Sequence, residues 1–388
     1  MTIDRLSRSI DCGVDRTTTL TFVLHLLGRT LSPCEGFAQL SRHDSLIKAD
    51  SVRGEAMVER NVGQMSLADS LVETSGGGIL VEVEAVVDWG PLRALLGRRG
   101  GTGAGNSSYP SEVLLRCLLV GIWHGLSDPA LEAAIADRLS FRRFAGLSLH
   151  DRTPDHSTLW RFRQELARDG LIDQIFAEIN RQFEVRKLVL KQGTLIDASF
   201  VGARAKAPRK ERGQAENMPA KPSADPDARW GRKGHKSVFG YKIHTGVDAA
   251  HTLIRRVDVT NASVTDTEPA DGLICGDEKA AYGDQAYYTH ARHARLIKAR
   301  IKDRLMHRPN KHHPELPARQ KRRNRLIARV RAAVERPFAV FKEQYRLRRM
   351  RFYNLARNRV QIVLACCAYN LRRAAGALAS QRKECACN

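Results

Sequence analysis

The spacing of apolar positions changes period twice along the chain. Up to about residue 60 apolar and charged positions mix, with no run that begins at a cap and ends at a stop, and Gly76, Gly77 and Gly78 then mark a linker. From 109 to 187 the period is helical. Ser111 precedes an apolar run holding Leu114, Leu115, Leu118 and Leu119; Ser127 or Asp128 is placed to cap a second helix entered at Pro129, and Asp155 or Ser157 a third. That third segment, HSTLWRFRQEL, sets Leu159 and Phe162 on one side and carries Arg161 and Arg163. Two readings stand side by side: a helix-turn-helix element that meets nucleic acid through those arginines, and an ordinary helical domain with Trp160 and Phe162 in its core.

At Leu188 the period shortens to that of strands. LVLKQGTLIDASFV (188–201) is β-rich with Asp197 near its end. GYKIHTGVD (240–248) and TLIRRVDVT (252–260) form two further strands around a short turn, and AAYGDQAYY (280–288) a strand entering a helix. Between the first two strands, an insert rich in Ala, Lys and Pro spans about 204–236. Its cations include Arg204, Lys206, Arg209, Arg229, Arg232, Lys233 and Lys236, and it is expected to be a flexible, DNA-facing loop. Ile327, Val330, Val334, Phe338 and Phe341 then form an apolar stripe that docks a helix on the sheet, with a kink expected at Pro337. The fold class is α/β: a mixed sheet flanked by helices, preceded by an all-helical domain.

Charge narrows the choice of partner. Residues 292–359 hold 23 Lys and Arg against 4 Asp and Glu, a net +19 of the whole chain's +22. A solvated helix face intersperses acids with bases; here only Asp303, Glu315, Glu335 and Glu343 do so, which favours neutralisation of phosphates on nucleic acid. The apolar stretch at 17–27 contains His25 and has no small-residue cleavage site, and the run at 361–379 is broken by Arg372 and Arg373, so neither a signal peptide nor a membrane span is expected. The eight cysteines contain no CxxC pair, and neither the HxxH at His290 and His293 nor the CxC at Cys385 and Cys387 has a companion at zinc spacing. Reduced thiols in a cytoplasm follow.

The candidate chemistry rests on three carboxylates, Asp197, Asp284 and Glu335. Phosphoryl transfer without a covalent protein intermediate needs a nucleophile deprotonated and a leaving oxygen stabilised, which two divalent ions about 4 Å apart accomplish. Hard cations such as magnesium take carboxylate oxygens and complete their octahedra with water and phosphate. Asp197 and Asp284 fall at strand ends that adjacent strands can bring together, and Glu335 joins from a helix whose Arg331 and Lys342 lie on the same face. Lys242, His244 and Asp248 on a neighbouring strand are further candidates.

At this point the strings GTLIDASFV (193–201), ARWGRKGHKSVFGYKIHTGVD (228–248), TNASVTDTE (260–268), YGDQAYY (282–288) and RVRAAVERPFAVFK (329–342) resemble the DDE transposases of bacterial insertion sequences, specifically the insertion-sequence-five family. The resemblance covers about 61–375. It implies an RNase H-like fold at 188–375, with Asp197, Asp284 and Glu335 as ligands of two magnesium ions, for which manganese is a possible substitute. The family's Tyr-x-x-Arg-x-x-x-Glu-x6-Lys motif is matched at Arg331, Glu335 and Lys342, with Ala328 where Tyr is common; its Asp-x-Gly-Tyr motif is matched at Asp284 and Tyr287, with Ala286 in place of Gly. The helical block within 61–187 resembles the same transposases' N-terminal domain, implying recognition of terminal inverted repeats or dimer contacts.

Double-stranded DNA is therefore the expected partner, contacted by Arg331, Lys342, Arg161, Arg163, Lys233, Lys236 and Lys242, with a homodimer holding the two ends and a cytoplasmic, nucleoid-associated location. Residues 1–60 are expected to be a poorly ordered extension, with Met57 or Met65 the true start, and 376–388 a flexible tail. Two other readings remain open at this level: a catalytically decayed remnant that only binds DNA, and a general RNase H-like nuclease.

Overall fold

The computed structural model describes residues 60–64, 78–97, 108–209, 221–309 and 314–387. Residues 1–59 of the N-terminal extension and both proposed starts, Met57 and Met65, lie outside these residues. Among the described residues seven helices come first: α1 (Ile79–Val86), α2 (Trp89–Leu96), α3 (Ser111–Trp123), α4 (Asp128–Asp137), α5 (Leu139–Ala145), α6 (His156–Arg168) and α7 (Leu171–Val185). The expected caps do their work: the Ser127 side chain accepts from Ala130 N at the start of α4, and Asp155 accepts from Thr158 N at the start of α6. On α6, Leu159, Phe162 and Leu166 are buried at helical spacing, whereas Trp160 is 44 % exposed and stands outside the core.

Six strands follow: β1 (Thr194–Gly202), β2 (Arg229–Lys233), β3 (Lys236–Asp248), β4 (Ile254–Asn261), β5 (Ala280–Gly283) and β6 (Lys302–Leu305), with helix α8 (Ala270–Leu273) before β5 and helix α9 (His290–Lys298) before β6. β3 is central on one side: β2 pairs antiparallel with its first half and β4 with its second, both on the edge away from β1. β1 runs antiparallel to β3 and parallel to β5, and β5 parallel to β6. Three antiparallel strands continued by parallel ones, flanked by helices, make the RNase H-like sheet.

Three elements complete the chain: α10 (Ala318–Arg331), α11 (Glu335–Glu343) and α12 (Leu355–Cys387). A turn of 3₁₀ helix, Ala332–Val334, separates α10 from α11, so the break falls before Pro337, which sits in the first turn of α11 where proline is tolerated. Ile327, Val334, Phe338 and Phe341 are buried as their spacing indicates; Val330 is 40 % exposed, because the 3₁₀ turn shifts the apolar face. Arg323 fastens α10 to the sheet edge, donating to the carbonyls of Leu305 and Asp303 at 2.7 and 2.8 Å.

Two expectations are corrected. The end of the 204–236 insert is not loop: Arg229–Lys233 is a strand paired with β3, and Asp225, 1 % exposed, accepts the Tyr241 hydroxyl at 2.7 Å and Asn354 N at 3.1 Å, fixing the approach to it. Residues 210–220 of the insert lie outside the described residues. The tail from 376 is helical rather than loose, since α12 continues to Cys387. α12 is long and apolar enough to cross a membrane, and 67 % of its apolar window is buried inside the protein.

That helix joins the two layers. It packs on α1, α3, α6 and α7 of the helical block and on β4 of the sheet. Its Asn370, fully buried, takes both backbone groups of Ile254 at 2.8 and 2.7 Å and donates to Asn180 on α7 at 2.9 Å. The amide thus satisfies strand-edge groups that would otherwise be desolvated without partners. Trp123 on α3 donates its indole N–H to the Ala368 carbonyl at 2.8 Å.

His244, in the middle of β3, is wholly buried and shares a hydrogen bond of 2.9 Å with Thr260 on β4. Burial, with Lys242 nearby, lowers its pKa from 6.5 to about 4. The folded state therefore binds this proton less readily than the unfolded chain, so stability is unaffected above the unfolded pKa and is lost as pH falls from about 6.5 toward about 4. Urea denaturation at about pH 7 and about pH 4.5 is expected to show wild type losing about 2–3 kcal/mol that His244→Leu does not lose; equal losses in both proteins would contradict the assignment.

Candidate active site

The sheet itself brings two acids together. In the parallel pairing of β1 with β5, Thr194 faces Ala281 and Leu195 faces Tyr282; two residues further on each strand stand Asp197 and Asp284. The approach is close because Gly283 has no side chain: a Cβ there would lie 2.8 Å from Leu305 Cδ2 and 3.0 Å from Ile196 Cγ1. β5 ends at Gly283, and the chain turns through a 3₁₀ turn, Gln285–Tyr287, which Asp284 caps by accepting Ala286 N on Oδ1 at 2.8 Å. Ala286 carries no positive φ, so alanine serves at this position without backbone strain. Arg292, 2 % exposed, holds the turn from behind by donating to the carbonyls of Tyr287 and Thr267 and to Asp271.

The second oxygens of both acids face one guanidinium. Arg331, the last residue of α10, places Nη2 3.3 Å from Asp197 Oδ2 and 3.9 Å from Asp284 Oδ2. The Asp197 side chain is 15 % exposed and that of Asp284 36 %. Burial raises the Asp197 pKa; the Arg331 charge opposes that rise, and the neighbouring Asp284 adds to it. Beside the pair, the buried Tyr287 hydroxyl and Arg331 Nε have no hydrogen-bond partner among the described residues. Two carboxylates with spare oxygens and an unpartnered hydroxyl fit a hard divalent cation and the water it carries.

Lys342 reaches the same face of β1. Its ammonium donates to Ser199 Oγ at 2.7 Å, and Ser199 lies two residues from Asp197, hence on the same side of the strand. Burial lowers the Lys342 pKa, with Lys233 and Arg348 adding to the effect. Glu335 opens α11 directly after the 3₁₀ turn that packs against β1; its side chain is exposed and makes no ion pair or hydrogen bond among the described residues. A 3₁₀ turn, Ala332–Val334, stands between Arg331 and Glu335; Arg331 and Lys342 contact β1, and the Glu335 side chain is exposed.

The other candidates are distributed. Lys242 is 7 % exposed, its ammonium held by the Val264 carbonyl at 2.7 Å and Asp266 at 2.9 Å. Asp248 is buried and caps the turn after β3 through Ala250 N and His251 N. Arg163 forms a two-pronged pair with Asp128 at 2.6 and 2.8 Å, while Arg161 is exposed and bonds only within its own helix at Ser157. Lys233 and Lys236 are exposed at the β2–β3 hairpin.

Sequence patterning misses the row of exposed arginines Arg322, Arg325 and Arg329 on α10, which share one face, the side away from Arg331. Their i, i+3, i+7 spacing was the available signal. A separate trio, Cys275, Asp277 and Glu278, has ligand atoms within 4.8 Å of one another, but Asp277 is already paired with Lys191 and Arg255.

Two comparisons with known families agree with this layout. A family model described as Transposase DDE domain matches residues 190–371, and one described as Transposase domain (DUF772) matches residues 69–165. No solved structure matches the chain.

Because Arg331 neutralises a partly desolvated pair, Arg331→Met is expected to cost about 1–3 kcal/mol in buffer free of divalent ions, and Asp284→Asn in the same chain to restore part of that loss. Urea denaturation of the two single variants and the double variant measures the coupling; strictly additive losses would show that the acids do not share the guanidinium.

Proposed function

From the premise that this chain belongs to the DDE transposases of the insertion-sequence-five type, we propose that it cuts DNA at the terminal inverted repeats of its element and joins the freed 3′ hydroxyl ends to target DNA. The observation that carries the reading is the meeting of Asp197 and Asp284 at adjacent strand ends under Arg331. In the first step water attacks the phosphorus and displaces the 3′ oxygen, leaving a 3′ hydroxyl and a 5′ phosphate. In the second, that hydroxyl attacks a target phosphodiester and displaces its 3′ oxygen.

Asp197 and Asp284, with Glu335 brought in from the start of α11, are the residues that would hold two magnesium ions, or manganese in their place. Bound there, the ions would supply a deprotonated nucleophile and a stabilised leaving oxygen. The rest falls to the protein's own cations. Arg331 balances the carboxylates and turns toward phosphate when they are otherwise compensated. Lys342, held by Ser199 on the face of β1 that carries Asp197, lies within reach of the non-bridging oxygens beside the cut. Arg322, Arg325 and Arg329 offer phosphates a second row of cations on the other side of α10, and binding by such a row weakens steeply with salt.

In this account the helical block of 61–187 recognises the repeat or a second copy of the chain. Arg161, Arg163, Lys233, Lys236 and Lys242 assist, Arg161 and the hairpin lysines by direct contact and Arg163 and Lys242 by holding their elements in place. Residues 188–375 form the catalytic domain, a homodimer synapses the two ends, and the reaction takes place on DNA in the cytoplasm.

Purified protein with magnesium is expected to nick a labelled duplex carrying the element's end at the repeat boundary and to leave a random duplex intact. Asp284→Ala is expected to lower that rate by more than the roughly 100-fold that loss of a supporting residue costs at a metal site. Equal cutting of the random duplex would indicate a general nuclease, and binding without cutting a DNA-binding remnant.

A further inference from the structure

Further along β1 from the acids lies a groove that the cleavage chemistry does not use. Gly202 is five residues beyond Asp197, about 16 Å at roughly 3.3 Å per residue. There the strand exchanges backbone hydrogen bonds with the segment after α11, Gly202 N to Arg348 O at 3.3 Å and Met350 N to Gly202 O at 2.8 Å. Above this floor opens a groove of about 570 Å³, walled by Lys206, Arg209, Trp230, Phe239, Arg348 and Arg349. Its volume lies within the roughly 300–1,000 Å³ of small-ligand sites. No acidic residue lines it among the described residues. Lys206 and Arg209 are exposed and their side chains carry no ion pair among the described residues. Arg349 is fixed by the Ala203 carbonyl at 2.7 Å.

Trp230 gives the groove its specificity. It is 52 % exposed, yet its strand is pinned: a Cβ on the next residue, Gly231, would lie 2.3 Å from the Ala262 carbonyl and 2.4 Å from Phe200. Since successive side chains of a strand point to opposite faces, Gly231 packed inward leaves Trp230 facing outward. Its cross-strand partner Phe239 supports the indole, ring centroids 5.5 Å apart. A rigid aromatic face beside Lys206 and Arg209, with Arg348 held at the rim by an exposed pair with Glu343, matches a base with its phosphates, and only an unpaired base offers a free π-face. Lys342 and Arg348 lie along the way from Asp197 to this groove.

We propose that this groove binds unpaired nucleotides of the DNA strand being processed, one base stacking on Trp230 while Lys206, Arg209 and Arg348 hold adjacent phosphates. The proposal rests on the DNA-cutting reading above and adds a second subsite to it. Stacking tolerates any base, so the groove selects for single-strandedness rather than sequence.

The test uses the full chain without divalent ions and compares, by fluorescence anisotropy, a blunt duplex with the same duplex bearing a single-stranded tail of about five nucleotides. Wild type is expected to prefer the tailed DNA by about tenfold, Trp230→Ala to lose that preference, and Trp230→Phe to keep most of it. A 2-aminopurine in the tail should be quenched by wild type and not by Trp230→Ala. Equal affinity of wild type for both DNAs, or an unchanged preference in Trp230→Ala, would overturn the groove proposal while leaving DNA binding intact. Failure of wild type to bind either DNA would instead overturn the DNA-cutting reading, and this one with it.

Discussion

Two acids that the sheet forces side by side set the terms for the whole catalytic half of the chain. Asp197 and Asp284 are neighbours because β1 and β5 pair in parallel and because Gly283 lets the strands approach. Like charges in a partly desolvated position repel, so the fold must place a cation against them, and Arg331 at the end of α10 meets that need. From this follow the packing of α10 across the sheet edge through Arg323, the 3₁₀ turn against β1, and the direction in which α11 leaves with Lys342 pointing back at Ser199. An arrangement that holds two carboxylates near each other at an electrostatic cost is a frequent mark of a functional site.

The sheet stays rigid around that pair because it is not built alone. α12, buried along its middle, is shared by the helical block and by β4, with Asn370 bonding the edge of β4 and Asn180 of α7 at once. One apolar cluster runs from Val83 on α1 through β1, β3 and β4 to Ala375 on α12, and a second, with Ile196, Ala281, Tyr287 and Leu305, lies under β5 and β6. The helical block and strands β1, β3 and β4 therefore share one apolar cluster among the described residues, which is a mechanical basis for coupling the two parts of the chain.

Much of this was legible in the sequence where side chains declare their environment. The apolar run around Asp197, the caps Ser127 and Asp155, and the strands at 240–260 follow from local pattern alone. The strands that escaped notice are β2, RWGRK, and β6, KDRL: both lie at sheet edges, where one side of the strand meets solvent and charged residues replace the expected alternation. Tertiary partners were equally invisible. Arg163 is matched with Asp128 and Lys242 with Asp266, pairs that no local spacing reveals. The break between α10 and α11 falls before Pro337, at a 3₁₀ turn packed on β1 that local spacing does not announce.

The central claim is that Asp197 and Asp284 together form a divalent-cation site, and it is tested most directly by counting bound ions rather than by activity. Titrating manganese into the protein and reading free ion by electron paramagnetic resonance is expected to show saturable binding in wild type and its loss in Asp197→Asn/Asp284→Asn. Unchanged manganese binding in that double variant, with the fold intact, would contradict the account.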